Sequence, residues 1–275
     1  GQLGPAGTLS FYNNSGSVNL VADVVGWFTP SSSLRLRALT PARLLDTRDG
    51  TGDVFGAVAG GTAVNLKVTD RGGVPANAKA VALNVTVTEP TNGSFLTVFP
   101  AGDPRPLASS VNMVPGQTVP NMVFARVGTD GKVSIYNNSG TAHVVVDVVA
   151  AFADNAPGRL VAVQPARVLD TREGIGSVAA KVGQDPLVLK LTGQAGIPGS
   201  GVSAVLMNVT AVTPDSDTFI TVYPTGGDRP LASNLNVVAG QVIPNMVLAR
   251  VGTDGAVAFF NNQGSVDLVA DVMGY

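Results

Sequence analysis

The acidic loop at residues 46–53, DTRDGTGD, carries three carboxylates that could bind calcium through oxygen, namely Asp46, Asp49 and Asp53. A second copy of this loop follows later in the chain, but Ser177 replaces Asp53 there. Neither copy ends in the bidentate Glu that an EF-hand loop requires. The pattern therefore favours a turn after a strand over a metal site. In such a turn, Asp46 and its counterpart would accept hydrogen bonds from backbone N–H groups.

A second set of carboxylates lies inside valine-rich segments, at the same place in three copies. They are Asp23, Asp147 and Asp271. A carboxylate buried in such a strand is costly unless a cation pairs with it. The expected structural ion pairs are Arg48–Asp147 and Arg172–Asp271, and the next candidate partners are Arg126 and Arg250. Asp23 belongs to a partial copy that lacks the first of these partners, so its partner must come from elsewhere.

The sequence contains no recognisable catalytic set. His143 is the only histidine, and the equivalent positions of the other copies hold Asn19 and Asp267. A histidine-based triad could therefore exist in one copy at most. With no cysteine and one histidine, a structural zinc site is excluded on ligand count. We predict no catalytic residue, no bound metal and no cofactor, and hence a protein that is not an enzyme.

Two further polar features have a structural and a binding interpretation. Asn84 and Asn208 each begin an N-V-T sequon, but the alternation around them places them inside a strand, where the amide is expected to hydrogen-bond across the sheet. The other feature is the pair of Pro-containing loops GDPRPLAS and GGDRPLAS, which follow a strand in each copy. Their candidate ligand residues are Asp103, Arg105, Asp228 and Arg229.

These residues recur because the chain repeats itself. The stretches FYNNSG, IYNNSG and FFNNQG place Asn13, Asn137 and Asn261 at a constant spacing of 124 residues. A unit of this length can close its own hydrophobic core, so the repeat predicts independent modules joined like beads rather than a solenoid.

The phase of the repeat divides the chain into five parts. We expect one module at 36–152 and another at 160–275, joined through short, polar, Pro-containing linkers at 29–35 and 153–159. Residues 1–28 match the last strands of a module whose beginning is absent. Either the piece was cut from a longer array, or these strands complete a module of a neighbouring chain by strand addition.

Composition indicates a globular β protein and excludes several partners. Apolar residues make up 45% of the chain, and its 33 glycines and 18 prolines suit many short strands separated by turns. The net charge of −2 gives no electrostatic footprint for nucleic acid. The apolar runs are too short to span a bilayer, so no transmembrane segment is predicted.

The alternation of apolar and polar residues predicts about eight strands per module. Residues 82–88 and 94–100 are expected to form a hairpin, and residues 121–127, 132–138 and 142–152 an antiparallel meander. The last of these segments is apolar on both faces and should lie in the middle of a sheet. We predict an all-β fold of tandem β-sandwiches of jelly-roll or Greek-key type, with a β-barrel or β-prism as the alternative.

The ordered motifs DTR, ALNVT, RPLAS, NMV, VGTDG and VVDVV resemble a tandem extracellular repeat of secreted and surface proteins of actinobacteria. The resemblance covers nearly the whole chain. It implies an exported protein at the cell surface, but it implies no ligand or reaction for any residue.

Two functions remain open at this stage. A structural or adhesive repeat protein, with modules that act as spacers or assemble into a filament, is favoured by repetition without a chemical centre. Its partners would be other copies of the same module or chain. The alternative is a carbohydrate-binding array that recognises cell-surface glycans, although aromatic residues make up only 5% of the chain.

Overall fold

The computed structural model describes residues 3, 6–29 and 31–275. The first module contains β1 (Arg35–Asp46), β2 (Val58–Ala59), β3 (Thr62–Lys67), β4 (Ala80–Thr88), β5 (Ser94–Pro100), β6 (Val111–Met113), β7 (Val119–Arg126), β8 (Lys132–Asn137) and β9 (Thr141–Ala153). The second contains β10 (Ala162–Asp170), β11 (Leu187–Lys190), β12 (Ala204–Val212), β13 (Thr218–Pro224), β14 (Leu235–Val237), β15 (Val242–Arg250), β16 (Ala256–Asn261) and β17 (Asp267–Gly274). None of the described segments forms a helix that is long and apolar enough to cross a bilayer.

Each module is a β-sandwich of two antiparallel sheets, which we call the front and rear sheets. The front sheet has the order β1-β9-β4-β7 in the first module and β10-β17-β12-β15 in the second. The rear sheet has the orders β3-β8-β5-β6 and β11-β16-β13-β14. The two-residue strand β2 pairs with β9. This is the strand order of an eight-stranded jelly roll, so the predicted all-β sandwich fold is confirmed in its jelly-roll form.

The predicted hairpin and meander are wrong, because the connecting turns carry the chain between sheets. β4 lies in the front sheet whereas β5 lies in the rear sheet, and β8 lies in the rear sheet between two front strands of the sequence. The Asn–Gly turn after β8 does contain a positive φ, of 64° at Gly140. The same turn residues therefore serve an arch between sheets as readily as a hairpin within one.

The apolar last strand of each module does lie in the middle of its sheet, as its sequence predicts. β9 is flanked by β1 and β4, and β17 is flanked by β10 and β12. Val144, Val146 and Val148 on β9 are completely buried in the core of the first module. Their alternation follows from the period of two in a strand.

Each module has its own hydrophobic core between its two sheets. Leu45, Leu83 and Ile135 are fully buried in the first core. Met207 and Phe259 are fully buried in the second. Burying such side chains contributes about 1.5–3 kcal/mol each, so two complete cores account for two folded units.

The modules are not separate beads, however, because a third cluster of buried side chains joins them. Leu36, Val149 and Phe152 on the outer face of the first front sheet pack with Ala204 and Leu248 of the second module. β15 contacts β7, β9 and β1, so it runs across that face from one edge to the other. The expectation that the modules are independent, like beads, is therefore wrong for this pair.

The strands extend slightly into the predicted linkers, since β1 begins at Arg35 and β9 ends at Ala153. Among residues 6–29, none lies in a strand, and apolar side chains such as Trp27 are exposed. The turn in the FYNNSG stretch is nevertheless formed, because the Asn13 side-chain amide donates to the Gly16 carbonyl over 2.9 Å. That residues 1–28 are strands of a preceding or partner module remains a prediction, and residues 1, 2, 4 and 5 lie outside the described part.

Candidate functional site

An ion-pair network at the first front sheet brings together Asp147, Asp46 and Arg48, three of the charged residues singled out in the sequence. Asp147 on β9 is paired with Arg43, which lies directly opposite on β1. The Arg43 Nε atom donates to one carboxylate oxygen over 2.9 Å, and a terminal nitrogen donates to the other over 3.1 Å. A third bond of 3.2 Å joins Arg43 to Asp46. This forked geometry is the strongest form of arginine–carboxylate contact.

The predicted partner of Asp147 is therefore wrong, since Arg43 and not Arg48 binds it. Arg48 instead folds back on Asp46, with side-chain hydrogen bonds of 2.8 and 2.6 Å. The Arg48 backbone N–H also donates to Asp46 over 3.1 Å, which confirms the predicted capping role of Asp46. Arg48 follows Asp46 by two residues in the turn, so it binds that neighbour. Arg43 lies on β1 directly opposite Asp147 of the central strand β9, so it binds Asp147.

Burial and hydrogen bonding shift the two carboxyl groups in opposite directions. Burial raises the pKa of Asp147, and the hydrogen bonds from Arg43 only partly offset it. The side-chain hydrogen bond from Arg48 lowers the pKa of Asp46. Arg43, Arg48, Asp46 and Asp147 thus form one network. Its two carboxylates are hydrogen-bonded to arginines and are not arranged as a general acid and a general base.

The second module repeats this network with the equivalent residues. Arg167 forks onto Asp271 with bonds of 2.9 and 3.2 Å, so the predicted partner Arg172 is wrong here too. Arg172 binds Asp170, whose pKa is lowered to about 2 mainly by that side-chain hydrogen bond. Asp23 is exposed, and within the described part of the chain no ion pair includes it.

A cluster of amide groups lies where the modules meet. The Asn84 side chain donates to the Ser233 carbonyl over 2.6 Å, and its oxygen accepts from the Asn245 amide over 2.9 Å. The Asn245 oxygen in turn accepts the backbone N–H of Met122 over 3.1 Å. Asn84 is thus a structural residue, but its partners belong to the other module and not to its own sheet. The sequon nitrogen is accordingly buried.

A small cleft of about 270 Å³ opens beside this amide cluster, between the two modules. Arg43 and Arg48 lie on one side of it, and Ser233 and Asn236 of the second module lie on the other. The remaining lining residues come from the first module: Thr86, Thr88, Thr118 and Val145. The cleft is polar and contains no aromatic ring.

The candidate ligand loops hold their arginines against aromatic rings. The guanidinium carbon of Arg105 lies 4.2 Å from the centre of the Tyr136 ring, and that of Arg229 lies 4.1 Å from the Phe260 ring. Asp103 and Asp228 are exposed in the same loops. The loop of the second module also contacts the first, because the Leu231 carbonyl accepts from Arg43 over 3.5 Å.

The single histidine supports a buried threonine. His143 Nδ1 lies 3.0 Å from the Thr47 hydroxyl, which itself accepts the backbone N–H of Val144. In the second module, Asp267 accepts a 2.8 Å hydrogen bond from Thr171 at the same place. A carboxylate and an imidazole thus serve the same structural purpose.

The acidic loop does not gather its carboxylates around one point. Asp46 is engaged by two arginines, Asp49 accepts the backbone N–H of Thr51 over 2.9 Å, and the Asp53 side chain is almost fully exposed. In the residues that the structure describes, no group of three or more His, Cys, Asp or Glu side chains could hold a metal ion.

Sequence reasoning missed Arg43, Asn245 and the contact between modules. Arg43 and Arg167 occupy equivalent positions opposite Asp147 and Asp271, so the repeat held this signal. The repeat gives no indication that Asn245 is buried, because its copy in the first module, Asn121, is exposed.

No protein-family model matches the sequence, and no curated protein matches it either. Three solved structures are similar to the chain at very low identity. The tandem CBM22-1–CBM22-2 domain of Xyn10C from Paenibacillus barcinonensis is 11% identical with a TM-score of 0.24, covering 86% of this chain and 98% of the other. The PBSX exported protein XepA is 8% identical with a TM-score of 0.26, covering 92% and 100%. The STIV MCP is 8% identical with a TM-score of 0.23, covering 88% and 96%. Scores of this size support no statement about what this chain does.

Proposed function

We propose that this chain is a non-enzymatic structural and adhesive repeat protein of the cell surface, in which the modules act as spacers or assemble into a filament. One observation carries the proposal: the Asn84–Asn245 contact and the apolar cluster around it bury the face where two repeats meet. Buried, satisfied hydrogen bonds between packed faces fix the geometry of an interface. Two repeats thereby become one stiff unit, which suits a spacer.

The charged residues support the same function. One network of ion pairs holds β1, β9 and the turn after β1 together; it consists of Arg43, Arg48, Asp46 and Asp147. The second module repeats the arrangement. A network that recurs in every module and is saturated by its own members is a device for strand alignment. It offers no substrate a free acid, base or nucleophile.

An extracellular location is part of this proposal, and it is supported by the resemblance of the repeated motifs to actinobacterial surface repeats. Assembly through residues 1–28 is also part of it. The exposed side chains of Phe11, Val21 and Trp27 and the formed turn at Asn13 support strand addition to another copy.

The experiment combines small-angle X-ray scattering, electron microscopy and immunogold labelling of intact cells of the source organism. We expect the purified chain to scatter as a unit with one fixed distance between modules, and gold particles to label the cell exterior. Particles longer than one chain should appear for the full chain and disappear without residues 1–28. Freely moving modules together with unlabelled cells would refute the proposal.

A carbohydrate-binding protein is the second candidate, and the cleft between the modules favours it. Its hydroxyl and amide groups, from Thr86, Ser233 and Asn236, suit a small hydroxylated ligand, although no ring is present to stack on a sugar. A glycan array and a pull-down with insoluble cell-wall polysaccharides test this candidate. Failure of every polymer to bind would remove it and leave the structural role standing.

A further inference from the structure

The two loops with the sequence RPLAS build the same small platform in both modules. In each, the guanidinium carbon of an arginine lies over a ring on the outer face of the rear sheet: Arg105 over Tyr136 of β8, and Arg229 over Phe260 of β16. The stacking distances of 4.2 and 4.1 Å agree although the ring has changed from tyrosine to phenylalanine. The platform is therefore a repeated property of the module.

These arginines differ from the four arginines of the two ion-pair networks in having no acidic partner. Arg43, Arg48, Arg167 and Arg172 are all forked onto aspartates. Across the described residues, no ion pair or hydrogen bond engages the Arg105 or Arg229 side chain, and both are exposed. A cation–π contact with the ring holds each guanidinium in place, while its N–H groups remain available as donors.

An arginine held in this way is a prepared site for an oxyanion. The planar fork matches a carboxylate or phosphate group through two parallel hydrogen bonds, and stacking lowers the entropy lost when the bonds form. Each loop also presents an exposed carboxylate, Asp103 or Asp228, which can accept hydrogen bonds from hydroxyl groups. The exposed Leu107 and Leu231 add an apolar contact at the tip of each loop.

We propose that Arg105 and Arg229 form two equivalent binding sites for the anionic groups of a hydroxyl-rich cell-surface polymer, either uronic carboxylates or phosphodiesters. This inference rests on the proposed adhesive function and names the contact through which adhesion occurs. Two sites on one stiff chain bind a repeating polymer with avidity, since the second contact forms intramolecularly. The net charge of −2 means that affinity comes from the platforms and not from overall attraction.

The two sites differ in rigidity. The second loop is fixed to the first module through the Leu231 and Ser233 carbonyls, which accept from Arg43 and Asn84. The first loop has no such module beneath it in the described structure. We therefore expect Arg229 to contribute more to binding than Arg105, because less loop motion is lost there.

The test measures binding of the full chain to immobilised polygalacturonate and poly(glycerol phosphate) by biolayer interferometry, with neutral dextran and single-stranded DNA as comparison polymers. R105Q/R229Q should weaken binding to the anionic polymer at least about tenfold, and each single variant should weaken it less. R105K/R229K keeps the charge but loses the fork, so it should weaken binding nearly as much. The matched control is R37Q/R126Q, which removes two exposed arginines that make no cation–π contact in the described residues and should change binding less than about twofold.

Binding to only one of the two anionic polymers supports the proposal and identifies the source of the anionic group. Absence of binding to both overturns it without affecting the structural role, which scattering and labelling test separately. Equal binding to DNA, full binding by the lysine variant, or an equal loss in the R37Q/R126Q control would each mean that charge alone acts, and would also overturn it.

Discussion

Asp147 and Asp271 occupy the same position in the two front sheets and accept the same arginine fork, yet the Asp147 side chain is 1% exposed and that of Asp271 is 30% exposed. The difference arises because the second module covers the first front sheet and nothing in the described structure covers the second in the same way. β4 is accordingly buried on both faces, whereas β12 alternates between buried and half-buried residues. The chain thus contains an internal comparison of one site in two environments.

Removing the carboxylate should therefore have different effects in the two modules. Asp147→Ala leaves the half-buried Arg43 with Asp46 as its one remaining acidic partner and should lower the free energy of unfolding by about 1–3 kcal/mol. Asp271→Ala breaks a partly exposed pair and should cost about 0.2–1 kcal/mol. Differential scanning calorimetry of both variants measures the contrast. Equal losses would show that the second module does not bury the network.

The contact between the modules should depend on Asn245. Asn245→Ala leaves the Asn84 oxygen and the Met122 N–H buried without partners, at a cost of about 1–3 kcal/mol. Calorimetry should then show the two modules unfolding at separated temperatures. Asn121→Ala is the matched control. The Asn245 amide also donates to the Asn234 carbonyl within its own module, and Asn121 makes the equivalent bond to the Ser110 carbonyl but is exposed. A control that separates the transitions equally would contradict the interface.

Acid should destabilise the second module through Asp170. Its pKa is about 2 in the folded protein against an ordinary value of 3.8. Because the folded pKa is the lower one, the stabilisation is complete above about pH 4 and is lost as the pH falls towards 2. Asp170→Asn should flatten the fall of Tm over this window, and Arg172→Gln should flatten it less, because Arg167 and the backbone N–H of residue 172 still lower the pKa of Asp170. An unchanged slope in either variant would contradict the pairing.

Gly128 should not tolerate a side chain, although its φ is negative. A Cβ atom there would overlap the backbone oxygen and nitrogen of Ala101, which lies in the turn after β5. We expect Gly128→Ala to cost more than about 2 kcal/mol, as for other overpacked sites. Gly93→Ala is the control, since its Cβ would meet no atom within 4 Å, and it should be neutral or slightly stabilising. Urea unfolding of both variants tests the difference.

The fold class was accessible from the sequence because alternation and apolar content are local properties. The two apolar faces of β9 indicated its central position, and the structure confirms it. Strand pairing could not be predicted in the same way. An Asn–Gly turn such as Asn92–Gly93 has the same residues whether it closes a hairpin or connects two sheets. That is why β4 and β5 were wrongly expected to pair.

The site was predicted only in part, for reasons of register and packing. β1 contains irregularities between Ala38 and Ala42 and between Arg43 and Leu45, which bring Arg43 opposite Asp147. Bulges of this kind leave no clear mark in one sequence. The interface was hidden because Asn84 and Thr86 alternate with apolar residues as solvent-facing side chains do, and only the second module's position buries them.

The pairing of the first and last strands has a mechanical consequence. Arg35 at the start of the first module is opposite Ala153 at its end, and Ala162 is opposite Gly274 in the second. Tension along the chain thus pulls apart two neighbouring antiparallel strands from the same end, breaking their hydrogen bonds one after another instead of shearing them together. Each module that opens releases chain at about 3.3–3.6 Å per residue. Under load, a tether of these modules would lengthen before it broke.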